Sequence, residues 1–120
     1  MNINNNPLAE KSYDFALKIV QLHKIIVSNN KEYVLSKQLL RSGTSIGANV
    51  AEANGAISKA DFSAKISIAY KESLETKYWL NILKDSDYID SENAMVLISD
   101  ADELSRILFS ILKTTRISKG

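Results

Sequence analysis

The 120-residue sequence predicts an all-α domain, an antiparallel up-down-up-down four-helix bundle. Three observations lead there. Glycine and proline are scarce, at four and one residues, whereas a β-sandwich or an α/β sheet needs many more turn residues. Apolar residues recur at helical spacing through four long segments. The breaks between those segments are only a few residues long, which forces successive helices to run antiparallel. The length fits one domain over 1–120, and 45% hydrophobic with 24% charged residues is an ordinary globular composition.

The first helix, about 7–28, opens with Asn6 as a favourable N-cap and Pro7 at the first helical position, where a missing N–H is no loss. Its stripe is Phe15, Ile19, Leu22 and Ile26, flanked by Ala16, Val20 and Val27. Ser28, Asn29 and Asn30 interrupt it, with Asn30 placed to cap a second helix over about 31–53. The third, about 58–85, begins with Ser58 and Asp61 at capping-box spacing. It carries Phe62, Ile66, Ala69, Tyr70, Leu74, Trp79, Leu80 and Leu83, with Asp61 and Lys65 as an i, i+4 ion pair. The fourth, about 90–116, starts near Asp90 or Ser91 and frays from Thr114. Its stripe is the cleanest: Ala94, Leu97, Ile98, Ala101, Leu104, Ser105, Leu108, Ile111 and Leu112. Helices of this length span roughly 30–40 Å.

The second helix is unusual. Gln38, Ser45, Asn49 and Glu52 fall within about 60° of one another on a helical projection, with Arg41 and Ser42 beside them. Short amides and hydroxyls, rather than the Lys/Glu mixture of a solvated face, suit a packed polar network within the bundle or between subunits. Gly43, Gly47 and Ala51 form a small-residue stripe. Each interior glycine costs about 1 kcal/mol relative to alanine. Close approach of a neighbouring backbone compensates for that; a kink near Gly43 is the alternative. Tyr78 and Trp79 point in adjacent directions, so one ring at least leaves the monomer core, as expected of an interface anchor.

The run Ser45 to Ala53 (SIGANVAEA), with Gln38 and Arg41 upstream and Ile68 to Glu75 (IAYKESLE) in the third helix, resembles a family encoded in intervening sequences of 23S rRNA genes. Its wider superfamily includes the accessory variability protein of diversity-generating retroelements. The resemblance implies a small four-helix bundle assembled as a ring-shaped homopentamer. In the retroelement branch it implies a strongly basic surface for nucleic acid and a reverse transcriptase. This chain departs from the pattern twice. Leu40 precedes a single Arg41 where a basic pair is common, and Ala53 follows Glu52 where glycine is common.

Several kinds of chemistry are excluded or disfavoured. Absent cysteine removes a disulfide framework, a thiolate zinc site and cysteine catalysis. A single histidine, His23, cannot build a di-metal bundle site and reads as a boundary residue of the first helix. Gly43 and Gly47 lack a P-loop lysine. Asp100, Asp102 and Glu103 read as a solvated face. The sequence therefore points to no enzyme, cofactor, metal or small-molecule substrate. No apolar run approaches the roughly 20 residues of a membrane span, and MNINNNPLAEK has no signal-peptide core. A cytoplasmic location is expected, with no membrane partner.

The formal charge is +1, but it is unevenly distributed. The first sixty residues carry seven basic against four acidic side chains, and the last sixty eight against ten. Lys59, Lys65, Lys71 and Lys77 scatter around the third helix and make no basic stripe. The expected partner is a second copy of the chain, with Gln38, Arg41, Ser45, Asn49, Glu52, Tyr78 and Trp79 as structural or interface residues. The alternative is RNA, DNA or a nucleic-acid-processing protein, contacted through Lys24, Lys31, Lys37, Arg41, Arg116 and Lys119.

Overall fold

The computed structural model describes residues 6–119, with side chains from 6 to 115. Among them are four helices: α1 (Pro7–Asn30), α2 (Val34–Asn54), α3 (Lys59–Asp85) and α4 (Ser91–Lys119). They form a rod of 48 × 23 × 22 Å. No helix among the described residues is long and apolar enough to cross a membrane.

The helix starts follow the local chemistry. The Asn6 side chain accepts the Leu8 N–H at 3.0 Å, with Pro7 in the first turn. The Ser58 hydroxyl accepts the Asp61 N–H at 3.0 Å, and Asp61 reaches back to the Ile57 N–H at 3.3 Å. Asp90 accepts the Asn93 N–H at 3.0 Å and stands at the start of α4. Each bond occupies one of the donors that a helix N-terminus leaves free.

Three local expectations are corrected. Asn30 does not cap α2, because α1 continues through it and turns at Lys31, which adopts a left-handed φ of 56° and donates its N–H to the Val27 carbonyl. Glu32 serves α2 instead, its carboxylate accepting the N–H groups of Val34 and Ser36 at 3.2 and 2.8 Å. Lys65 does not pair with Asp61, whose carboxylate is engaged with the backbone at Ile57; it crosses to Glu52 of α2 at 2.8 Å. The fourth helix does not fray at Thr114. The hydroxyls of Thr114 and Thr115 bond the carbonyls of Ser110 and Ile111 within the helix, which runs on to Lys119.

Cross-helix bonds fix the antiparallel order. Asn6 meets Asn54, His23 meets Ser36, Ser42 meets Thr76 and Ser73 meets Ser105. The core interleaves Phe15, Ile19 and Ile26 with Leu39, Ile46 and Val50, then with Ile66, Leu80 and Leu83, and finally with Leu104, Leu108 and Leu112. α1 packs on α2, α2 on α3 and α3 on α4, while the side between α4 and α1 is the loosest.

Gly43 and Gly47 explain how α1 and α2 come so close. α2 is one continuous helix through both positions, so Gly43 does not break it, and neither glycine has a positive φ. A Cβ built on Gly43 would lie 2.9 Å from both γ-carbons of Ile19, and one on Gly47 would lie 3.2 Å from the Ser12 carbonyl oxygen. The glycines are there for lack of room. Gly43→Ala therefore destabilises the fold by about 1–3 kcal/mol in urea denaturation, although alanine is the better helix former. Combining it with Ile19→Ala, which removes both crowding carbons, gives a loss smaller than the sum of the two single losses.

Candidate functional site on the second and third helices

The segment singled out in the sequence lies along the seam between α2 and α3, and the structure divides its residues. Ser42 is fully buried. It donates to the Leu39 carbonyl at 3.3 Å and accepts the Thr76 hydroxyl at 3.1 Å. Thr76 also lies 2.7 Å from the Glu72 carbonyl. A second buried pair, Ser73 and Ser105, joins α3 to α4 at 2.7 Å.

The rest of the polar stripe does not enter the bundle, which corrects the expectation of a network buried within it. Gln38, Arg41 and Glu52 are exposed, and Ser45 and Asn49 are half-buried. The Ser45 hydroxyl donates to the Arg41 carbonyl at 2.6 Å, and the Asn49 amide donates to the Ser45 carbonyl at 2.8 Å. Short side chains one turn from a carbonyl satisfy themselves on their own helix without a partner helix.

Arg41 is the organising charge. Its guanidinium donates to Glu72 at 2.9 Å and to Glu75 of α3, and the Trp79 indole donates to the same Glu75 carboxylate at 2.9 Å. These two hydrogen bonds, Trp79's above all, hold the Glu75 carboxyl below the usual carboxylate range. The Glu72 bond, followed by that of Glu75, raises the Arg41 guanidinium further. Glu72 and Glu75 were missed in the sequence as partners of Arg41. Their spacing of three placed both on one face of a helix, but only the α2–α3 register shows that Arg41 lies opposite.

Tyr78 leaves the core, with its ring edge-on to the half-buried Trp79 at 5.0 Å between centroids. His23 is half-buried and donates from Nδ1 to the Ser36 carbonyl at 3.2 Å, which joins α1 to the first turn of α2. The α4 carboxylates are spread among cations of other helices: Asp100 with Lys18 at 3.1 Å, Glu103 with Lys11 at 2.8 Å and Asp102 with Lys77 at 3.1 Å. No group of three possible metal ligands occurs among the described residues. Lys24, Lys31 and Lys37 are exposed near the α1–α2 joint and form no ion pair among the described residues. Arg41 is engaged elsewhere, and the side chains of Arg116 and Lys119 lie outside those described.

The fold and this seam define a small helical bundle in which α2 packs Gly43 and Gly47 against α1 and lays Arg41, Ser45, Asn49 and Glu52 along the α3 side. The sequence matches the model of the 23S rRNA-intervening sequence protein family over residues 4–110. The chain belongs to that family. It is also similar to a crystal structure from Bacteroides thetaiotaomicron, described as a protein of unknown function from the S23 ribosomal protein family. The two are 49% identical with a TM-score of 0.87, and the match covers 88% of this chain and 98% of that one. No curated protein matches the sequence.

The sole tryptophan sits on the carboxylate that it helps to keep charged. Because the Glu75 pKa is lower folded than unfolded, its contribution is complete above the unfolded value and is lost as pH falls through the folded one. Acidification below about pH 4.5 therefore lowers the melting temperature and shifts Trp79 fluorescence together. In Glu75→Gln the fluorescence no longer titrates over that range, and the acid loss of stability is shallower.

Proposed function

We propose that this chain is a non-enzymatic, self-associating scaffold of the cytoplasm whose assembled form is a homopentameric ring, the number five following from the family resemblance. One observation carries the self-association. The bundle interior is already filled, yet large apolar side chains stand in solvent on more than one side, including Tyr13 at 64%, Tyr78 at 58%, Ile25 at 53% and Phe109 at 48% exposure. Phe109 lies against Tyr70, one turn from exposed Leu74, and apolar side chains grouped in this way support a protein–protein contact. A cysteine-free chain suits a reducing compartment. The scaffold needs no cofactor, membrane or small-molecule substrate.

Nucleic acid is the competing partner, favoured by the unpaired Lys24, Lys31 and Lys37. Light scattering on a size-exclusion column, with absorbance read at 260 and 280 nm, separates the readings. The scaffold reading expects five times the 13.3 kDa chain mass with a protein-like ratio. Excess 260 nm absorbance that salt removes would give the lysines to phosphate. A species of 13.3 kDa at all concentrations would overturn self-association.

A further inference from the structure

Two opposite sides of the rod differ in shape. Between α1 and α2 runs a shallow groove of about 450 Å³, walled by Ala9, Tyr13, Ala16, Thr44, Ala48 and Ala51. Four of these six carry nothing beyond Cβ, and the helix contact beneath is already as close as Gly43 and Gly47 allow. Between α3 and α4 large apolar side chains stand in solvent instead, as an apolar ridge. Leu74 and Phe109 are exposed, with Phe109 steadied against Tyr70 at 5.7 Å between ring centroids.

The cross-helix contacts place groove and ridge at one height. Gly47 lies beside Ser12, Ser42 bonds Thr76 and Ser73 bonds Ser105. Counting along antiparallel helices from these pairs sets Tyr13, Ala48, Tyr70 and Phe109 at about the same level. Leu17 and Thr44 on the groove side are then level with Leu74 on the ridge side.

Charge follows the same division. At the end of the rod holding the α1–α2 and α3–α4 joints, the groove side presents exposed Lys24, Lys31 and Lys37, with Glu32 drawn in to cap α2. The ridge side at that end presents exposed Asp85, Asp87 and Glu92, with Asp90 capping α4 and Lys84 3.8 Å from Asp85. Near mid-height the signs exchange. The groove side has exposed Glu10, and the ridge side has exposed Lys71, Arg106 and Lys113, of which Arg106 bonds Asp102 at 2.6 Å.

We infer that the α1–α2 groove of one copy receives the α3–α4 ridge of a second copy, the two rods lying side by side with the same end up. The inference rests on the self-association reading and specifies its contact. In that orientation lysines face carboxylates at the joint end, Glu10 faces cations near mid-height, and the apolar ridge fills the small-residue groove beside them. Groove against groove would leave a void, and ridge against ridge would hold the rods apart. Joining different surfaces, the contact is heterologous, and a ring closes without burying the joints where each copy is turned relative to the last about an axis along the rods.

Two exposed positions block one surface each: Ala48→Lys fills the groove and Leu74→Lys charges the ridge. Alone, each variant raises the concentration needed for self-association at least tenfold and runs at 13.3 kDa under conditions where the parent assembles. Mixed in equal amounts they form a species of twice that mass and nothing larger, because one intact groove and one intact ridge remain. Circular dichroism checks that both stay helical. Should either fail to fold, the charge pair Lys24→Glu with Lys37→Glu, against Asp85→Lys with Glu92→Lys, repeats the test, with assembly lost in each and oligomers of alternating variants formed on mixing. Variants that assemble like the parent would overturn the assignment of faces while leaving self-association standing. Single variants that dissociate but show no mixed species would overturn the head-to-tail geometry. A parent that never assembles removes the reading underneath.

Discussion

The architecture depends on how closely α1 and α2 approach. Gly43 lies against the branched γ-carbons of Ile19, and Gly47 against the backbone of Ser12. Glycine is a poor choice for the middle of a helix, and two within five residues weaken α2 as an isolated segment. The gain is a contact without intervening side chains, which seats Ile19 at zero exposure and fixes the height of α1 on α2. A β-branched side chain has little rotamer freedom with which to move aside, so the fit tolerates almost no added volume.

Register on the other side of α2 is set by hydroxyls. The pairs Ser42–Thr76 and Ser73–Ser105 lie in the interior, where an unsatisfied polar group is costly. A sliding helix would separate each pair and strand its oxygens in an apolar layer. Apolar side chains alone define a core but not a unique height, since one leucine layer resembles the next. The hydroxyl pairs and the two glycines distinguish the layers, and they place Arg41 opposite Glu72 and Glu75.

These differences account for what the sequence conveyed. Four helices and their antiparallel order were legible because long apolar stripes and scarce turn residues admit few other folds. The glycine stripe was legible too, as an expense that close approach offsets. The polar stripe was expected to be buried within the bundle or between subunits because its residues are short amides and hydroxyls; within one chain, Ser45 and Asn49 use that shortness to bond their own helix. Asn30 resembled a cap, but Lys31 makes the turn in a left-handed conformation that composition does not reveal. Partners of Arg41 were hidden because an exposed glutamate on α3 looks the same whether or not an arginine on another helix stands opposite.

A total charge near zero acquires a different meaning once the helices are placed. Spread evenly, fifteen cations and fourteen anions would make a featureless surface. The order of the bundle instead puts α1 beside α2 and α3 beside α4, so a surplus of cations in the first half of the sequence becomes a side of the rod. In the proposed assembly like copies would repel little as wholes while attracting through unlike sides, the condition under which identical chains associate in one orientation. Apolar exposure would supply the attraction that salt does not screen, and the charges would decide which end is up. On the proposed contact the opposing carboxylates would occupy the same lysines that phosphate would need, so nucleic-acid binding and ring closure would compete for one surface.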